Sequence, residues 1–167
     1  MRCVQQVAFL RLWERLRGSQ QLPHFSALTA DDVERSNEML SLVEVVATDT
    51  GPRFRVIRNG LQFNRMYTES RSGQFLDDYL PPHIRSQALE SHRHVVEKRE
   101  PCFSLSNVRN NEGPIIRYER LVLPFTLNGP DVERVATVIT IFSEENGFDL
   151  RDVMNGQIID QRELMDQ

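Results

Sequence analysis

One lysine among 20 basic residues, two cysteines, one tryptophan and no long apolar run set the first limits on this 167-residue chain. Cys3 and Cys102 lie far apart and show no paired metal-ligand or redox spacing, so they read as buried or incidental thiols in a reducing compartment. Neither is a nucleophile candidate. A basic excess is missing as well: 20 Lys and Arg against 24 Asp and Glu leave a formal charge of −4, which argues against nucleic-acid binding through phosphate neutralisation. The opening stretch "MRCVQQVAFLRLWERLRG" carries Arg11, Glu14, Arg15 and Arg17 and no small-residue cleavage site. It reads neither as a signal peptide nor as a membrane span, and a cytoplasmic location is expected. There is no glycine-rich phosphate loop, no His-Glu-x-x-His and no Gly-x-Ser-x-Gly. Asp77 and Asp78 are adjacent, as are Glu144 and Glu145, but adjacency is the usual state of solvated acids, and catalysis is not expected.

What is present is ordinary for one globular domain: 40% hydrophobic and 26% charged residues. The preference for arginine suits planar contacts with carboxylate or phosphate, but a base composition that favours arginine codons explains it equally well. Val4, Ala8, Phe9, Leu12, Trp13 and Leu16 recur at helical spacing before Gly18, which predicts an amphipathic flanking helix over 1–18. "TADDVERS" offers a Thr cap and early acids for a short helix. "LSLVEVVA", the turn "TDTGP" and "RFRVIRNG" predict a hairpin. Residues 61–80 suit short helical turns broken near Gly73, and "HIRSQALESHRHVVEKRE" predicts a helix opened by Pro81 and Pro82. "CFSLSNVR", "IIRYERLVLPF" and "RVATVITIF" then predict three antiparallel strands between turn signals. The tail from Ser143 spaces Leu150, Val153, Met154, Ile158, Leu164 and Met165 as a weak amphipathic helix interrupted by Gly156. The fold class is α+β, with one curved sheet and helices on one face.

"LWERLRG" at 12–18, "LP" at 22–23, "RFRVIRNG" at 53–60, "SGQFLDDYLP" at 72–81 and "RYERLVLPF" at 117–125 come in the order and spacing of a bacterial family of PAS-like domain proteins. The chain resembles that family over roughly residues 10–143. The resemblance implies a five-stranded antiparallel sheet of order 2-1-5-4-3, able to enclose a small-molecule pocket. It also implies a stand-alone sensory or interaction module rather than an enzyme. On this reading residues 19–143 form the PAS-like domain and 144–167 a C-terminal amphipathic tail. Where the family usually has a glycine near the end of the short helix after the hairpin, this chain has "NRMYTE", which sets Tyr67 near the expected pocket mouth.

The run "RYERLVLPF" keeps Glu119 and Arg120 side by side in an apolar segment. Strand residues alternate faces, so Glu119 goes with Arg117, Leu121, Leu123 and Phe125, while Arg120 goes with Tyr118 and Val122. If the Leu121 face is the concave core, Glu119 projects inward, as a pocket anchor or as the partner of an arginine such as Arg134. On the helix after Pro82, His92 falls on the apolar stripe with Ile84, Ala88 and Val95, whereas His94 points away, so the pair cannot chelate one metal. Haem-binding PAS sensors carry an axial histidine on the corresponding helix, which makes His92 the position to name. A hydrogen-bonded core histidine is the commoner case. The flavin-photosensor run Asn-Cys-Arg-Phe-Leu-Gln is absent, so the cofactor is unassigned and neither haem nor flavin has a motif. The candidate ligand contacts are Tyr67, His92, Tyr118 and Glu119. The candidate interface is Phe9, Trp13 and Leu16 at one end with Leu150, Met154 and Ile158 at the other, within one chain or across a homodimer. The expected function is binding of a small ligand or a partner protein, signalled by repacked helices. A small enzyme that uses Glu119 or His92 as base is the alternative.

Overall fold

Leu40–Thr48 (β1) and Gly51–Asn59 (β2) form the predicted hairpin, with Thr48 opposite Gly51 across the turn. The computed structural model describes residues 3–67, 69–111, 113–143 and 147–159. After β2 the chain leaves the sheet through three helices, Leu61–Tyr67 (α3), Leu76–Tyr79 (α4) and Pro82–Lys98 (α5). It returns as Cys102–Arg109 (β3), Ile116–Phe125 (β4) and Arg134–Phe142 (β5). β5 pairs with both β4 and β1, so the helical crossover carries β3 to the side of the sheet away from β2. Among the described residues the order is β2-β1-β5-β4-β3-β6, antiparallel throughout. Its first five strands have the order expected of a PAS-like sheet.

Local chemistry explains the boundaries. Val4–Arg17 (α1) stops at Gly18, whose φ is +56°. Ala30–Arg35 (α2) opens with a capping box, in which Asp32 N–H donates to Thr29 Oγ1 at 3.2 Å and Thr29 N–H donates to Asp32 Oδ2 at 3.1 Å. Pro82 occupies the first turn of α5, where a missing N–H costs nothing, and Arg99 ends it in the left-handed region. At Gly60, between β2 and α3, a Cβ would lie 1.8 Å from Asn37 O, so only glycine lets the two backbones pass. Pro124 lies inside β4, a poor place for a residue without an N–H. It is tolerated because β3 begins opposite Val122 and leaves that end of β4 without a neighbour on one side.

Both faces of the sheet are covered. Tyr118, Arg120 and Val122 face α3, α4 and α5, together with Ser41, Val43 and Thr137 of the neighbouring strands. Glu119, Leu121, Leu123 and Phe125 face the other way. The ring of Phe25 stands edge-on to Phe125 at 5.7 Å, and α1 lies across β4 and β5. Gln6 Nε2 donates to Val138 O at 3.0 Å and to Glu119 O at 3.3 Å, and Trp13 Nε1 donates to Pro124 O at 2.7 Å. α1, the flanking helix, closes the face that the crossover helices leave bare, burying apolar area that would otherwise be wet.

The C-terminal segment also differs from the sequence reading. Instead of an amphipathic helix, a four-residue turn of helix, Asp152–Asn155 (α6), precedes a short strand, Gln157–Ile159 (β6), on the free edge of β3. Gly156 makes this fit. A Cβ there would stand 2.5 Å from Val108 Cγ1 and 2.9 Å from Arg109 O, so this glycine lets the chain press against β3. Asn110 Nδ2 donates to Asp152 Oδ1 at 2.9 Å, and the His83 Nε2–H donates to Val153 O at 3.1 Å. Leu164 and Met165 of the predicted helix, with Glu144 and Glu145 before it, lie outside the described residues.

Candidate functional site

The alternation of β4 decides which charge enters the interior cavity, and it is Arg120. The cavity lies between the sheet and α3–α5, with a volume of about 30 Å³. Three of the four candidate ligand contacts, Tyr67, His92 and Tyr118, line it; Glu119 does not. Glu119 is buried beneath α1 on the opposite face, beside Gln6. Arg134 is not its counterpart, because Arg134 stands opposite Phe125 and lies 3.7 Å from Glu44. The expectation of an inward glutamate is thus corrected. It took the Leu121 face to be the concave one, and that face belongs to α1.

Arg120 is 2% exposed. A guanidinium keeps its charge wherever it is placed, and burying a charge is costly unless a partner compensates it. Here Nη1 is buried without a hydrogen-bond partner, and among the described residues no carboxylate lies within ion-pair distance of the side chain. The guanidinium carbon sits 5.0 Å from the centre of the Tyr118 ring, a cation–π contact that offsets part of the cost.

His92 is the second polar group of the cavity. Its Nδ1 is 2.7 Å from Ala88 O, which can only accept, so Nδ1 carries the proton. Nε2 therefore accepts from the Thr137 hydroxyl at 3.1 Å. Burial pushes the imidazole pKa down to about 4, and the charge of Arg120 adds to the depression, while the Ala88 bond opposes it. His92 is neutral at physiological pH, with both nitrogens engaged. His94 is on the outer side of α5, 3.7 Å from Glu100, as its place on the helix predicted.

Tyr67 and Tyr79 close the cavity on one side, their rings edge to face at 5.0 Å. Burial raises the pKa of both phenols, so both stay protonated. Arg71 lies across the two rings from outside, 5.8 Å from the Tyr67 centre and 5.2 Å from that of Tyr79, and pairs with Glu69 at 2.6 Å. The same tyrosines wall an outer groove of about 300 Å³ that also takes in Met66, Arg151 and Met154. The two spaces are separated by this aromatic pair, and the outer one reaches the C-terminal segment.

The cavity has room for two or three waters at about 10–15 Å³ each. An isoalloxazine or a porphyrin does not fit that volume. Cys102 is absent from the lining, and burial raises its thiol pKa, contrary to what a reactive thiolate requires. Among the described residues no group of His, Cys, Asp and Glu could hold a metal ion.

The six interface candidates separate. Phe9 and Trp13 are each 3% exposed, used up between α1 and the sheet, while Leu16, Leu150 and Met154 are half-buried. Ile158 alone is exposed, at 40%, on β6. α1 lies across β4 and β5, whereas α6 and β6 lie along the free edge of β3. No described helix is long and apolar enough to cross a membrane.

No family model matches the chain, and no curated protein matches it. Among solved structures it is similar to a light-oxygen-voltage domain from work on a flavin analogue, at 12% identity and a TM-score of 0.49, covering 71% of this chain and 89% of that one. It is also similar to the light state of the blue-light photoreceptor Aureochrome1 LOV, at 10% identity and a TM-score of 0.45, covering 69% and 89%. The strand order and the helical crossover are those expected of a PAS-like sheet.

Proposed function

We propose that this chain is a PAS-like sensory module whose input is occupation of the Arg120 cavity and whose output is repacking of the C-terminal segment against a partner protein. The observation that carries this reading is the shared wall. Tyr67 and Tyr79 border both the inner cavity and the outer groove that holds Arg151 and Met154. A ligand larger than the present cavity must displace that wall, and the displacement is felt by α6 and β6. The shift requires the ligand to bind the displaced arrangement more tightly than the closed one.

Binding rather than catalysis is favoured by the state of the polar groups. His92, with a pKa of about 4 and both nitrogens hydrogen-bonded, is a weak base with no free lone pair. Glu119, the other base considered, has no access to the cavity. Fold alone does not settle function, so the reading is tested by native mass spectrometry of the purified chain, followed by hydrogen exchange with and without the compound retained. Altered exchange in α3, α4 and residues 151–159 supports it. A bound compound that leaves residues 151–159 unchanged overturns the output half of the reading.

A further inference from the structure

We propose that the ligand of this cavity is a small organic monocarboxylate, held by Arg120. The inference rests on the sensory reading above and names the chemistry of its input. Three observations point the same way.

The first is the unfilled bonding capacity of Arg120. Its Nη1 is buried with no acceptor, and none of the carboxylates among the described residues pairs with it. A buried guanidinium without an anion is an expensive arrangement, and a carboxylate is an anion whose two oxygens match its fork.

The second is the charge of the remaining lining, which sets the ligand at one negative charge. His92 is neutral and Tyr67 and Tyr79 stay protonated, because burial shifts all three away from their charged forms. One fixed positive charge balances a monoanion. A phosphate dianion would leave a second charge uncompensated among apolar walls.

The third is shape and approach. Beyond the arginine, the walls are Phe63, Leu76, Leu80 and Ile84, which suit a short hydrocarbon end. Two arginines, Arg71 and Arg151, border the outer groove, each paired to an acid that an arriving anion could replace in turn. The resting volume of about 30 Å³ admits only the smallest carboxylates. Longer ones must push Tyr67 and Tyr79 outward, and that links ligand size to the output.

The test is calorimetric titration of the full chain with sodium formate, acetate, propionate and benzoate, with sodium chloride and phosphate at matched ionic strength, on the wild type and on Arg120→Leu. The expected result is saturable binding of at least one carboxylate, weakened about tenfold to a hundredfold by Arg120→Leu, with chloride and phosphate no better in either protein. A thermal melt of each protein verifies folding, and Arg120→Lys, which keeps the charge but loses the fork, is expected to fall between the two. Equal binding of chloride or phosphate in an Arg120-dependent way overturns the carboxylate assignment and leaves the sensory reading intact. Retention of a neutral compound in native mass spectrometry does the same. If no anion and no retained compound binds, both proposals fall together.

Discussion

His92 on α5 and Thr137 on β5 are joined by a 3.1 Å hydrogen bond in which the threonine hydroxyl donates to the imidazole Nε2. That bond, with Nδ1–H donating to Ala88 O at 2.7 Å, fixes a neutral tautomer in the interior of the protein. Protonation of His92 would reverse the bond, with Nε2–H donating to the Thr137 hydroxyl oxygen, and would place a second positive charge beside Arg120.

A pH dependence follows. The folded-state pKa of His92, about 4, lies below the unfolded value of 6.5. Between those limits the unfolded chain binds a proton that the folded chain does not, so stability falls as the pH drops from 6.5 toward 4 and this contribution flattens below. The integrated loss is roughly 3 kcal/mol. Denaturant unfolding of the wild type and of His92→Gln across this range measures it, and the variant is expected to lack this component.

Replacing Arg120 by leucine removes an uncompensated buried charge. In buffer free of carboxylates, Arg120→Leu is expected to be more stable than the wild type by about 1–4 kcal/mol, read as a higher denaturant midpoint at unchanged slope. A marked loss of stability would mean that Arg120 has a partner within the protein.

Trp13 anchors α1 by donating to Pro124 O at 2.7 Å. Trp13→Phe keeps an aromatic ring but leaves that carbonyl without its donor, and a cost of about 1–3 kcal/mol is expected in chemical unfolding. Trp13→Ala adds the loss of a large buried side chain and is expected to cost about 3–5 kcal/mol. Equal stability of all three proteins would show that α1 is not docked on the sheet as described.

Gly156→Ala tests the seat of the C-terminal segment. The added methyl meets Val108 Cγ1 at 2.5 Å, so β6 must move away from β3, at a cost of about 1–3 kcal/mol. Faster amide exchange at residues 157–159 is expected, with β1 and β2 unaffected.

Much of the fold was legible because the local signals agreed with one another. The Gly51 turn, the Thr29 cap and the prolines at the start of α5 each fixed a boundary by a short-range physical cause. The inward place of His92 followed from helical spacing with Ile84, Ala88 and Val95. Two features escaped. Alternation along "RYERLVLPF" separated Glu119 from Arg120 correctly, but both faces of β4 are buried, so the pattern alone could not say which one lined the hollow. The presence of α1 over the Leu121 face was the missing fact, and it is a tertiary one. The second was β6. Apolar residues at helical spacing suggested a helix, whereas "GQII", a glycine before a β-branched pair, was the local sign of a short strand against β3.

The central claim is that one arginine-lined cavity communicates with the C-terminal segment through Tyr67 and Tyr79. Methyl NMR of methionine-labelled protein tests it most directly, since Met66 and Met154 border the outer groove while Met39 lies in the core away from it. On saturation with the carboxylate that binds tightest, the Met66 and Met154 signals should move, Met39 should not, and Arg120→Leu should abolish the change. Full occupancy by calorimetry with the Met154 signal unmoved would contradict the account.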